Sequence, residues 1–370
     1  MSEHRDFDEQ YVATKAEDLL PIRAEDDLLH AGRFPKSDLW EENTFVLVAE
    51  CGDDDIFLWA TAYHLRGHGN NVWLIDDGAE QETEFLAIPK NQRNKGLTDH
   101  DFIRLGWDPA NRRKASELQV EQKSGEVFWR LGSRLYSSAP PLFHVRGEHG
   151  GVDLDLTFRQ AAPAMWEWGD FATAPERDRG GYDTLCRVVG TIKVKDKVYM
   201  IKNGSGLKER ITVGASSDPM KTLPAPREMY WLFTMAGETA VYLFHPGTAG
   251  VDLGAVSSGG RNIPFKPRSG QGRVSFTELE RWHDPRCGLY FPSRWHLNMV
   301  SPEGMVDLDI RAHGRCWFNW VLKNGIRMNS FLLCTANGVF HRADGHIVEF
   351  KDELLANNWL RAYSSVQESF

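Results

Sequence analysis

The chain has 370 residues, 41% of them hydrophobic and 26% charged, with a formal net charge of −9. Those values describe a globular protein long enough for two cores, and the negative balance argues against nucleic acid as a partner, because phosphate binding needs a cationic face. No run of eighteen apolar residues occurs, so no membrane span is expected, and the charged start MSEHRDFDEQ is no secretory segment, which makes cytoplasm the expected location.

Strand signals dominate from the first third onward. TFVLVAE (44–50), a CGDDD turn and IFLWATAYHL (56–65) read as a hairpin, with NVWLID (71–76) as the next strand. SELQVEQKSGEVFWRLG repeats the form with Ser124-Gly125 at its turn. GGVDLDLTFRQ, CRVVGTIKVKDKVYMIKNG, EMYWLFTMAGETAVYLFHPG, GRVSFTELERW, YFPSRWHLNMV and GMVDLDIRA follow. Short alternating segments punctuated by Gly, Asp, Asn and Pro predict an all-β protein of sandwiches or barrels. Helical periodicity is confined to FKDELLANNWLRAY (350–363), read as a C-terminal helix, and a piece near 98–106. The Pro-rich LPAPRE (223–228) suggests a boundary between two units, 1–215 and 216–370.

The stretch NGSGLKERITVG (203–214) invites a phosphate-loop reading, but the spacing excludes it. A P-loop requires G-x-x-x-x-G-K-[ST] before a helix, whereas here Lys208 follows Gly206 by two positions and β-branched residues come next. A glycine turn entering a strand is the expectation. Five scattered cysteines contain no C-x-x-C, so neither a zinc ribbon nor a disulfide framework is indicated. No G-x-S-x-G elbow is present either. Thirteen tryptophans and twenty phenylalanines fill a large core or line a pocket for an apolar ligand.

Two segments carry a resemblance. CRVVGTIKVKDKVYMIKNGSGLKERITVG (186–214) and RWHDPRCGLYFPSRWHLNMVSPEGMVDLDIRA (281–312) are similar to segments of the two-domain lipocalin-like family. That family includes carotenoid 1,2-hydratases, AttH-type proteins, kievitone hydratase and some Diels–Alderases. Gly288, Pro292 and Trp295 fall in register, while Cys287 stands where the family usually has Ser. The resemblance implies two lipocalin-like antiparallel β-barrels packed together, a hydrophobic cavity near their junction, and no cofactor or metal. It also places an acid/base cluster after the glycines. In this chain that window is Lys208-Glu209-Arg210, without the family's His and Trp, so carotenoid-type hydration is not assigned.

Candidate acid/base residues are Glu209, partnered by Lys208 or Arg210, then Tyr63 and His245. Aromatic residues on alternating strands, Phe57, Trp59, Trp166, Trp231, Tyr242 and Phe244, are candidate ligand contacts, with Arg294 as a clamp for a carboxylate or phenolate. Glu167, between two tryptophans in MWEWGD (165–170), would have a raised pKa if buried. His64 and His68 have strand rather than helix spacing, which argues against a metal site. The function expected is a cofactor-independent lyase or isomerase acting on a hydrophobic aromatic, isoprenoid or steroid-like molecule. A carrier of a hydrophobic ligand and a pericyclic cyclase are the alternatives, and a homo-oligomer is left open.

Overall fold

The computed structural model describes residues 21–33, 39–66, 80–88, 111–113, 118–174, 178–214, 227–245, 253–265, 272–284, 288, 290–322 and 325–364. Two large antiparallel sheets account for nearly all of them. The first holds β1 (Leu39–Cys51), β2 (Asp54–Arg66), β3 (Glu80–Ala87), β4 (Asn111–Arg113), β5 (Leu118–Lys123) and β6 (Glu126–Leu131). It continues through β7 (Arg134–Ala139), β8 (Leu142–His149), β9 (Val152–Gln160), β10 (Met165–Gly169), β11 (Arg179–Val194) and β12 (Lys197–Gly214). The second holds β13 (Arg227–Ala236), β14 (Thr239–His245), β15 (Leu253–Ser258), β16 (Arg261–Phe265) and β17 (Arg273–His283). Its remaining strands are β18 (Tyr290–Ser301), β19 (Gly304–Leu322), β20 (Gly325–Arg342) and β21 (Ile347–Ser364).

In both sheets the last strand closes back beside the first. β12 pairs with β1, and β21 pairs with β13. Each sheet curls around its own apolar interior, giving two lipocalin-like half-barrels. Phe45, Trp129, Tyr136 and Phe158 fill the first interior. Phe291, Trp295 and Trp359 fill the second. A third core lies between the sheets and takes Val46, Trp59 and Leu207 from one, with Trp231, Phe233, Tyr242 and Phe331 from the other. Strands dry on both faces explain why TFVLVAE and IFLWATAYHL show little polar alternation. Further ties between the sheets are a fully buried His313–Asp55 pair (3.1 Å) and Asn262 donating to the Pro163 carbonyl (3.1 Å).

Three expectations need comment. The C-terminal helix is instead strand β21, hydrogen-bonded to β20 on one side and β13 on the other. Leu355 and Trp359 enter the second core while Ala356 faces the junction, so sheet pairing and burial on two faces override the local helical preference of DELLANNWL. NVWLID and the segment near 98–106 lie outside the described residues, as do the expected boundary at 215–216 and all of LPAPRE (223–228) except its last two residues, which begin β13. The glycines of NGSG form no turn, since 203–214 is the interior of β12 and the turn precedes it at Lys195-Asp196. Gly206 is small because of packing: a Cβ there would lie 2.4 Å from Val188 Cγ2 and 2.9 Å from the Phe158 ring. The Ser124-Gly125 turn forms as expected, with φ of 54° and 81°.

Gly206→Val should therefore overpack the first core and lower the unfolding free energy by about 1–3 kcal/mol, read from urea denaturation.

Candidate active site at the junction of the two sheets

β12 presents two different chemistries on its two faces. Lys208, Arg210 and Thr212 point into the first half-barrel, and Leu207, Glu209 and Ile211 point to the junction, as strand alternation requires. Inside the half-barrel, Lys208 Nζ donates to Asp27 Oδ1 (3.1 Å), which also accepts the Tyr182 hydroxyl (3.1 Å). Arg210 is paired with Glu41 and donates to the carbonyls of Leu28 (2.9 Å) and Ile211 (2.6 Å), with the Trp129 ring 4.9 Å from its guanidinium. Glu41 also accepts the His30 backbone N–H (3.0 Å). The short segment 21–33, with 3-10 turns at Ala24–Asp27 and Ala31–Arg33, is seated in the half-barrel by these contacts. Burial lowers the pKa of Lys208, against the pull of Asp27. Burial also lowers His30, reinforced by Arg210, to about 4. Lys208 and Arg210 thus pair with Asp27 and Glu41; Lys208 reaches only the backbone carbonyl of Glu209.

At the junction, strand register builds a polar row. Thr61, Thr44, Glu209 and Asp183 are direct neighbours across β2, β1, β12 and β11, and all four are buried. Thr61 Oγ1 lies 2.9 Å from Thr44 Oγ1. One row away stand Tyr63, Glu42 and Ile211; on the other side stand Trp59, Val46, Leu207 and Leu185. β10 adds Glu167, whose carboxylate oxygens come within 4.8 Å of those of Asp183 and Glu209.

The second sheet supplies donors. Tyr242 Oη is 2.6 Å from Asp183 Oδ2 and 2.7 Å from Glu167 Oε2. Trp231 Nε1 donates to Asp183 Oδ2 (2.9 Å) and lies 3.1 Å from Tyr242 Oη. The tyrosine hydroxyl has one hydrogen but two short carboxyl contacts, so one of those carboxyls must carry a proton of its own. Trp231 resolves which. Its N–H points at Asp183, favouring the ionised form there, so Glu167 is the protonated partner.

Electrostatics agree with this count. Burial, followed by the proximity of Asp183, holds the Glu167 pKa well above the ordinary carboxylate value. Burial raises Asp183 only to about 6, because the Tyr242 and Trp231 donors oppose it. Glu209 is pushed well up by burial, then by Asp183 and Glu42. Three buried carboxyls at this spacing are held together by protons or by a hard cation. The Tyr242 and Trp231 hydrogens meet Glu167 Oε2 and Asp183 Oδ2, so protons account for the contacts at those two oxygens.

Around the acids stand aromatic rings. Trp59 meets Phe331 at 4.4 Å and Trp231 at 5.5 Å, and Phe57 and Phe244 belong to the same core or its edge. Small solvent exposures, 4–7% at Trp231, Tyr63, Trp59, Glu209 and Glu42, run along this face, whereas most of the second half-barrel core is at 0%. Of the expected contact residues, Phe57, Trp59, Tyr63, Glu209, Trp231, Tyr242 and Phe244 meet here. Trp166 turns into the first half-barrel against Tyr182 (5.2 Å). Arg294 lies on the outer face of the second sheet, paired with Asp309 (2.7 Å) and Glu280 (2.8 Å). The side chain of His245, and all of His68, lie outside the described residues. Asp183 escaped the sequence reading, although a single acid inside the uncharged run GGYDTLC marks it.

Lys208→Met removes the cation hydrogen-bonded to Asp27, leaving Arg210 Nε at 4.0 Å, and should cost about 3–5 kcal/mol, with Asp27→Leu in the same chain recovering much of it in urea denaturation. Asp183 titrates near 3.8 when unfolded and about 6 when folded, so between those values the folded state keeps a proton that the unfolded state has lost. Its ionisation therefore weakens the fold as pH rises through that window. Asp183→Asn should raise the melting temperature at pH 8 and lose the advantage towards pH 4.

No protein-family model matches the chain, and no curated protein sequence does. Solved structures match over nearly its full length. CghA with Sch210972 superposes at a TM-score of 0.57 and 12% identity, covering 97% of this chain and 98% of that one. A putative AttH from Nitrosomonas europaea gives 0.53 and 14%, covering 93% and 98%. The chain has the fold of these two proteins, at identities that carry the likeness no further than fold.

Proposed function

We propose that the junction performs acid/base chemistry, without a cofactor, on a hydrophobic small molecule, as a lyase or isomerase. The observation that carries this reading is the Tyr242 bridge between two buried carboxyls whose pKa values are driven apart. A pair of titratable groups so separated has an acid and a base already assigned. Asp183, ionised above about pH 6, takes a proton from a substrate carbon. Glu167, protonated at neutral pH, gives its proton to the departing hydroxyl in an elimination, or to a second carbon when a double bond moves. Trp231 fixes Asp183, and protonated Glu209 completes the acid row without adding a second charge. The aromatic walls exclude water and strengthen each of these contacts. The likeness of fold to CghA, solved with Sch210972, supports a ligand-binding role for this fold.

The test begins with native mass spectrometry of freshly purified protein to identify a co-purifying ligand. Turnover of that ligand should fall by about 10²-fold or more in Glu167→Gln and in Asp183→Asn, and kcat in the unaltered protein should rise with pH through about 6. A ligand recovered unchanged after incubation would indicate a carrier instead.

A further inference from the structure

Two features of the junction bear on what it binds. The first is a donor with nothing to donate to. Trp59 is 6% exposed, and its indole Nε1 is buried with no acceptor in reach among the described residues. Phe331 and Trp231 hold the ring in place, at 4.4 and 5.5 Å. Trp231 in turn donates to Asp183, so the unmet N–H and the acid pair lie within the span of one small molecule. A buried donor left without an acceptor is unfavourable, and a ligand oxygen would satisfy it.

The second feature is charge. Among the described residues, no Lys or Arg is hydrogen-bonded or ion-paired to the side chain of Glu167, Asp183 or Glu209. The neighbouring cations of β12 face the other way, Lys208 held by Asp27 and Arg210 by Glu41. Beside the acids an anionic ligand would face carboxyls with no counterion among the described residues, since Arg187, on the same face of β11, lies two rows away in the field of Glu353 and Glu238. A flat neutral ring meets the faces and edges of Trp59, Trp231, Phe57 and Phe331 on favourable terms.

We propose that the junction selects a neutral aromatic molecule bearing a carbonyl or hydroxyl oxygen, which accepts the Trp59 indole N–H, and rejects the corresponding carboxylate. The acid/base reading supplies only the location of the site for this inference. Equilibrium dialysis of the full chain at pH 7 against naphthalene, 2-naphthol and 2-naphthoate tests it. 2-Naphthol should bind about tenfold more tightly than naphthalene, through one buried hydrogen bond. 2-Naphthoate should bind about 100-fold more weakly than 2-naphthol, as expected for an unpaired buried charge. In Trp59→Phe the preference for naphthol over naphthalene should collapse while naphthalene binding persists. Naphthoate binding within about threefold of naphthol, or an unchanged preference in Trp59→Phe, would overturn the proposal. So would the failure of all three probes to bind. If Trp59→Phe does not fold, the naphthoate-to-naphthol ratio in the unaltered chain decides. The acid/base reading fails separately, through undiminished turnover in Glu167→Gln and Asp183→Asn.

Discussion

The hydroxyl of Tyr242 touches two buried carboxyl groups and owns one hydrogen. That shortage forces a proton onto Glu167, leaves Asp183 as the carboxylate that Trp231 supports, and gives the junction an acid and a base. It also ties the two halves of the molecule together, because the carboxyls belong to the first sheet and both donors to the second. Separating the sheets would leave the acids without their donors. The hydrogen bonds that set the protonation of the acids are therefore also among those that dock the sheets.

The arrangement holds because β12 sorts charge by face. Lys208 and Arg210 would neutralise the acid row if they pointed at it, and the raised pKa values there would vanish. Strand alternation sends them instead into the first half-barrel, where they pair with Asp27 and Glu41. Their partners come from segment 21–33 and from β1, so the start of the described chain helps keep positive charge away from a site on the opposite side of the sheet. The destabilisation inherent in clustered carboxyls is confined to one face, a common signature of a functional site.

Much of this was legible in the residues. Strand character, the first hairpin, the Ser124-Gly125 turn and the aromatic residues that converge at the junction all follow from periodicity and turn chemistry. Glu209 was reached through the family resemblance, and the setting of Glu167 through its flanking tryptophans. The misreadings have a common cause. Residues 350–363 look helical by local preference, but hydrogen bonding to β20 and β13 decides their state. The glycines of NGSG look like a turn, but the crowding that requires them comes from residues distant in sequence, Leu47 at Gly204 and Val188 with Phe158 at Gly206. Arg294 looked like a ligand clamp because nothing local reveals that Asp309 and Glu280 sit beside it across the strands.

By itself the sequence determined that the chain would be β-rich, with aromatic strands apolar on both faces, because side-chain alternation and turn residues act over a few positions. Only the tertiary structure decided which acids would meet. Asp183 and Glu209 become neighbours through the pairing of β11 with β12, Glu167 arrives on β10, and Tyr242 and Trp231 reach them from the other sheet. A carboxyl's pKa depends on groups within a few ångströms in space, and Glu167 and Tyr242, which touch here, are 75 residues apart in the chain.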